Sequence, residues 1–266
     1  MIAYGATGCE VVRAAPDLQQ HKGKAVCVRG YFERLAPAML ARISATLRGM
    51  AANGSAPVIR RVEDPGWATM WQERFEPFAI GEGFLIVPPW NRERDPRRLQ
   101  IVIQPGQAFG TGHHGSTFGT MCALERIAGR FGIGRALDVG TGSGILAIAM
   151  RKLGIPDVTA IDVDPTALAN AEENAELNGL KGKIRFSVAP LSSIRGRFDL
   201  ITANILSSVL IEMAPMLVAR MRPGAHLNLA GILARETETV ARAYRPRLKR
   251  ITTRRDGAWA AMVFRR

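Results

Sequence analysis

The chain predicts an α/β fold: a doubly wound, Rossmann-like parallel sheet that ends in an antiparallel hairpin and follows a small α+β domain. Three observations predict it. Short apolar runs alternate with segments of helical periodicity from Arg135 onward. The first strand-to-helix junction is the glycine-rich stretch Asp138-Val139-Gly140-Thr141-Gly142-Ser143-Gly144. The last two strand-like runs are joined through Asp256-Gly257, a strong hairpin signal.

Composition narrows the class. The chain has 266 residues, so one large domain or two unequal ones is expected. Apolar residues make up 47%, enough for a substantial core, so disorder is not expected. No apolar run approaches the roughly 20 residues of a membrane-spanning helix. Met1–Glu10 lacks the basic and apolar regions of a secretory signal. Cys9, Cys27 and Cys122 are scattered without a C-x-x-C pair, which favours reduced thiols in a cytoplasmic protein over disulfides or a zinc site. The formal net charge is +13, and from Arg242 to the end nine Lys or Arg accompany one acid, Asp256. Such a basic C-terminal region suits contact with a ribosome or RNA; the alternative is an arginine-biased composition, since Lys supplies only six of the 36 basic residues.

In chain order, Lys24–Phe32 is a β-rich run, and Ala36–Met50 places Leu40, Ile43, Leu47 and Met50 on one helix face. Breakers at Ala51–Ser55 precede a short strand at Pro57–Ile59. Residues 1–65 thus read as a small α+β domain suited to substrate docking, to dimer formation or to a structural role. Trp67, Trp71 and Phe75 follow at i, i+4 and i+8 on a helix that Pro77 ends, a stripe that belongs to a core. Phe84–Val87 is a buried strand stopped by Pro88-Pro89, Trp90–Arg98 a loop, and Leu99–Ile103 another strand. Residues 66–100 read as a linker region and residues 101–266 as the main domain.

Gln104–Thr117 has glycines at 106, 110, 112 and 115, and Ser116 or Thr117 caps a helix running to about Arg130. It is a loop that folds over a ligand, or a plain hinge. The adjacent His113 and His114 point differently and lack a third ligand at metal spacing, so no metal is expected. Beyond Arg135, strands are expected at 135–139, 158–162, 183–188, 198–203 and 225–230. Helices are expected at about 145–153, 166–178, 207–220 and 232–243, the second starting with the cap and proline Asp164-Pro165. Strands near 248–253 and 258–264 close the chain.

The glycine stretch lets a bulky ligand approach main-chain N–H groups at a helix N-terminus. Its spacing is D-x-G-x-G-x-G rather than the dinucleotide fingerprint G-x-G-x-x-G, and the leading Asp138 suits a cationic ligand. A strand–helix turn with no ligand is the plain alternative. The pattern Asp138, Gly140, Gly142, Gly144 resembles motif I of the class I S-adenosylmethionine methyltransferases. A parallel sheet finishing in an antiparallel hairpin also separates those enzymes from the dehydrogenases. Asp162 ends the second strand, 22 residues beyond Gly140, where a carboxylate can accept from both ribose hydroxyls. Asp164 is better explained as a helix cap. Asn204, at the fourth strand tip, has one carbonyl acceptor and two donors. It can accept from an amine and aim that nitrogen's lone pair at a sulfonium methyl; a strand-end turn residue is the alternative. Its place corresponds to the N-P-P-Y motif of amino-methyltransferases, with Ile205-Leu206 replacing both prolines. Sheet topology should bring Gly140, Asp162 and Asn204 together.

Phe109–Thr117, the glycine loop, Ala160–Pro165 and Ala203–Leu206 occur in one order. With Trp67–Trp90 they resemble the bacterial ribosomal protein L11 methyltransferase family over roughly residues 60–266. The resemblance implies that Thr117, Gly140, Asp162 and Asn204 contact S-adenosylmethionine, with Asn204 and Thr117 as the candidate catalytic residues. It also implies that Asn204 faces the substrate amine and that the loop from Phe109-Gly110-Thr111 closes over the cofactor. The implied acceptor is a lysine side chain or the N-terminal amine of ribosomal protein L11. Members usually carry Asp where Gln104 stands and Pro-Thr at Gly115-Ser116, are less basic, and have a longer N-terminal domain, the family's substrate-docking part. These departures bear on the target more than on the reaction. Relatives methylate lysines of the electron-transfer flavoprotein β subunit, and a nucleic-acid amino-methyltransferase would use the same Asn204. A small-molecule methyltransferase would need a further lid, and a scaffold protein would keep only the cofactor fold.

Overall fold

The computed structural model describes residues 8–13, 26–31, 37–50, 76–91, 93–104 and 115–266. The chain divides into two compact units, Met1–Pro65 and Gly66–Arg266. In the first, strands β1 (Gly8–Arg13) and β2 (Val26–Tyr31) pair antiparallel, and helix α1 spans Pro37–Met50. Both β2 and α1 lie where the β-rich run and the helical spacing predict them, and Ile43 is buried. β1 is not expected from sequence: Gly8-Cys9-Glu10 has no clear alternation, and its extended state rests on pairing with β2. The expected strand at 57–59 and the Trp67, Trp71, Phe75 stripe lie outside the described residues.

The second unit holds two sheets. β3 (Phe78–Ile80) pairs antiparallel with β4 (Phe84–Val87), which pairs parallel with β5 (Leu99–Val102). Phe84, Ile86, Val87 and Ile101 are fully buried, so the stretch expected as a linker contributes a core layer. The physical reason is Phe84–Val87 itself, four apolar residues in succession that leave no face for water.

The main sheet comprises β6 (Arg135–Val139), β7 (Asp157–Ile161), β8 (Arg185–Ser187), β9 (Phe198–Asn204), β10 (Met221–Leu233), β11 (Lys249–Asp256) and β12 (Trp259–Arg265). Their order is β11-β12-β10-β9-β6-β7-β8, parallel except for the antiparallel pairings of β12 with β10 and β11. The expected doubly wound sheet with its terminal hairpin is thus present. The order reverses at β6, which lies between β7 and β9, and the crevice of such a sheet opens at that reversal.

Helices α2 (Gly115–Ala128), α3 (Ile145–Lys152) and α4 (Pro165–Leu177) contribute to one buried cluster, together with β4 and β5. Helices α5 (Ser207–Ala219) and α6 (Thr237–Tyr244) contribute to the other. Asp164 caps α4 as predicted, accepting from the Thr166 N–H at 2.8 Å with Pro165 behind it. One boundary differs. The last helix starts at Thr237, not near 232, because β10 runs on to Leu233 to pair with β12 beyond a bulge between Leu229 and Ile232. β11 is an edge strand, and its charged residues Lys249, Arg250, Arg254 and Arg255 discourage pairing with another chain.

Tyr244 joins the two helices of the second cluster. It is fully buried, its ring packs 5.2 Å from that of Phe264, and its hydroxyl donates to the Leu210 carbonyl at 2.5 Å. Tyr244→Phe should lower the unfolding free energy by about 1 kcal/mol. Tyr244→Ala should lower it by about 3–5 kcal/mol through the cavity left behind. Urea unfolding of both variants measures the difference.

Candidate functional site

β6 delivers Asp138 to the end of the sheet with no solvent exposure. Thr141 Oγ1 donates to Oδ2 at 2.6 Å, and Thr202 Oγ1 donates to Oδ1 at 2.7 Å. The Ala147 N–H in the first turn of α3 also bonds the carboxylate. Burial pushes the Asp138 carboxyl up to about 6; the two hydroxyls act in the opposite direction and the nearby Asp162 adds to the rise. With its oxygens engaged this way, Asp138 holds the loop, and its charge reaches a ligand only through the loop.

The glycine loop crosses from β6 to α3 with Gly140, Gly142 and Gly144 at φ 70°, 54° and 79°. At Gly144 an added side-chain carbon would lie 3.2 Å from Ala171 Cα and 3.3 Å from its carbonyl oxygen, so this glycine seats α3 against α4. At Gly140 it would overlap Ile205 Cγ2, which measures how near the β6 loop comes to the residue after Asn204. On the other side, the Gly142 N–H donates to Asp162 Oδ2 at 2.9 Å, and the Asp164 N–H to Oδ1 at 3.1 Å. The Asp162 carboxylate is half-buried, fixed by two backbone donors, and each oxygen keeps acceptor capacity.

β9 ends at Asn204, whose Nδ2 donates to Thr117 Oγ1 at 3.3 Å. Thr117 is almost fully buried in the first turn of α2. This bond spends a donor and leaves the Asn204 Oδ1 acceptor for another group. Gly231 positions the same tip. It sits at the β10 bulge with φ 77°, and an added side-chain carbon would fall 2.8 Å from the Ile205 carbonyl carbon and 3.0 Å from its nitrogen. Only glycine allows β10 to pass the backbone after Asn204 at that distance.

Sequence reasoning also missed Asn174 on α4 and Asn178 at its C-cap. Asn178 bonds both sides of the Val102 peptide edge: the Val102 N–H donates to its Oδ1 at 2.9 Å and its Nδ2 donates to the Val102 carbonyl at 2.6 Å. Asn174, fully buried, accepts from the Gln104 N–H at 2.8 Å and donates to the Ser143 carbonyl at 2.9 Å. One amide therefore joins the end of β5 to the glycine loop. Asn170, Asn174 and Asn178 recur at i, i+4 and i+8, a signal that was available in the sequence.

The structure thus draws together Thr117, Asp138, Gly140, Gly142, Gly144, Asp162 and Asn204. Phe109, Gly110 and Thr111, with His113 and His114, lie outside the described residues. Three apolar side chains stand exposed beside the strand tips: Val163 at 83% after Asp162, Val188 at 54% after β8 and Leu206 at 69%.

Residues 7–266 match the family described as ribosomal protein L11 methyltransferase (PrmA). The ribosomal protein L11 methyltransferase of Geobacter sulfurreducens is 39% identical over 248 residues, covering 90% of this chain and 81% of that protein. Its counterpart in Pelobacter propionicus is 40% identical over 215 residues, covering 79% and 70%. A crystal structure of ribosomal protein L11 methylase from Lactobacillus delbrueckii subsp. bulgaricus superposes with a TM-score of 0.67 at 32% identity, covering 71% of this chain and 98% of that one.

The Asp138 environment has a pH signature. Its carboxyl ionises near 3.9 in an unfolded chain and at about 6 when folded. Between those values folding takes up a proton, so this residue's contribution to stability falls as pH rises; below that window it is neutral, and above it the cost is constant at about 3 kcal/mol. The stability difference between the wild type and Asp138→Asn should therefore move against the wild type from pH 4 to 6 and level off above. Urea unfolding across pH 3.5–8 tests this; a flat difference would sink it.

Proposed function

This chain belongs to the ribosomal protein L11 methyltransferase family of class I S-adenosylmethionine-dependent enzymes, and on that premise we propose that it methylates amino groups of ribosomal protein L11, on lysine side chains, the N-terminal amine or both. The observation that carries the reading is the Asn204–Thr117 bond at the β9 tip. It orients the Asn204 amide with its carbonyl oxygen open to an amine N–H beside the cofactor crevice.

When bound, S-adenosylmethionine supplies a sulfonium methyl that needs no further activation. The residues present fit it. Asp162, held by the Gly142 and Asp164 N–H groups, retains lone pairs for two ribose hydroxyls. Val163 and Val188 offer exposed apolar surface suited to an adenine face. Gly140 leaves the backbone approachable where a side chain would block it.

Asn204 accepts one N–H of the incoming amine and so directs the remaining lone pair. The nitrogen must be neutral. For lysine, deprotonation at pH 7 costs roughly 4.6 kcal/mol; for an N-terminal amine near 8 it costs about 1.4 kcal/mol. Holding nitrogen and methyl in a near-attack arrangement, to which Asn204 contributes, supplies a compensating advantage on the order of 7–11 kcal/mol. We assign residues 1–65 to substrate docking, residues 101–266 to methyl transfer and the cytoplasm as the site of action, and extend the reading to ribosome or RNA contact through the basic C-terminal region.

The direct test supplies labelled methyl donor to unmethylated recombinant ribosomal protein L11 beside bare RNA and cell lysate, with the modified sites mapped by mass spectrometry. Label in the L11 protein is expected; label confined to RNA or to another protein would overturn the acceptor. Asn204→Ala should lose at least about a hundredfold in methyl transfer, while calorimetry finds cofactor affinity within about threefold of wild type. Gly231→Ala should lose activity on a similar scale by displacing Ile205. Gly154→Ala, also at positive φ but facing open space, should keep it.

A further inference from the structure

On the face of the main sheet that carries α2, beyond the C-terminal end of that helix, lies a hollow of about 150 Å³. Its floor is apolar, from Ile127, Phe131, Ile251 and Val263, and its rim is cationic, from Arg126, Arg130 and Arg265. No carboxylate lines it, and none of the three arginines has an ion-pair partner among the described residues. Lys249 joins the same face as the cross-strand neighbour of Arg265, and so does Arg254, which sits 5.0 Å over the Phe118 ring of α2. By contrast, Arg245 and Arg250 are neutralised by Glu238. The basic C-terminal region is therefore not uniform: Lys249 and Arg265 share a face with Arg126 of α2 and with Arg130 just beyond that helix.

Aromatic surface accompanies the charge. The Phe131 ring is 40% exposed, lies 4.4 Å from the His226 ring and carries the Arg265 guanidinium 5.7 Å above its centre. His226 itself is buried behind Phe131, and burial, aided by Arg265, lowers its pKa. Four cations, Arg126, Arg130, Arg265 and Lys249, beside an exposed aromatic suit a flexible polyanion with bases to stack: phosphates meet the cations while a base covers Phe131. An acidic peptide would satisfy the charges but leave the aromatic floor without a matching group.

We propose that this face binds single-stranded RNA, which names the surface for the RNA contact suggested above and rests on that reading. Thr117 and Arg126 are nine residues apart on α2, about 14 Å along its axis. The RNA surface is thus separate from the methyl-transfer crevice, and both can be occupied at once.

The test uses the full chain with a fluorescent 12-nucleotide single-stranded RNA, titrated at several salt concentrations. Contacts with three to four phosphates predict a slope of log affinity against log salt of about −2 to −3. Arg126→Ala/Arg130→Ala/Arg265→Ala should weaken binding at least tenfold and flatten the slope by about 2. Phe131→Ala should weaken it about tenfold with the slope unchanged. Both variants should keep methyl transfer to free ribosomal protein L11 within twofold, which also reports that they fold. Absence of binding, binding indifferent to these substitutions, or equal binding of an acidic peptide or an RNA duplex would overturn the proposal. RNA binding by a chain that methylates no L11 protein would instead overturn the acceptor reading and leave this one standing.

Discussion

Asp138 has no exposure and three donors on it: Thr141 from the glycine loop, Thr202 from β9 and the Ala147 N–H from α3. Each donor comes from a different element, so one carboxylate ties the loop to the strand on its left and the helix on its right. An ion buried without such partners would cost several kcal/mol. Here the partners are the parts whose relative position forms the crevice. The rise of its pKa to about 6 records what remains of the burial cost after those bonds are made.

Backbone approach distances complete the geometry that Asp138 starts. Gly144 lets α3 and α4 pack closely, and Gly231 lets β10 pass the chain after Asn204. Asn174 bonds the glycine loop and the end of β5 with one amide. Precision at the strand tips comes from these contacts made by neighbouring elements. The role proposed for the Asn204 amide needs such support because its effect depends on direction as much as on distance.

Helix α2 links two regions with different chemistry. Its first turn places Thr117 on Asn204, and its last turn places Arg126 beside the cationic hollow. The sheet beneath it changes character likewise, from the row of Thr202, Asn228 and Val263 nearer the crevice end to His226 and Arg265 toward the other. Charge gathers at one end of this helix and an oriented amide lies at the other, about 14 Å apart along its axis.

Sequence alone determined the order of strands and helices beyond Arg135, the hairpin, the Asp164 cap and the identity of Asp162 and Asn204 as strand-tip residues. These features are local: periodicity, caps and turn glycines act within a few residues. The glycine spacing and the acid 22 positions later were legible for the same reason. Tertiary structure decided what depends on distant neighbours. Asp138 read as an acid suited to a cationic ligand, and packing adds that it is buried between Thr141 and Thr202. Residues 66–100 read as a linker region with strands at Phe84–Val87 and Leu99–Ile103, and pairing joins these strands with Phe78–Ile80 in a three-stranded sheet. Gly231 and the arginine-rimmed hollow carried no local mark of their roles, and the spacing of Asn170, Asn174 and Asn178 marked a helix face without its partners. Each acts across an interval of sequence that only packing closes, and only there do their distances, and hence their energies, exist.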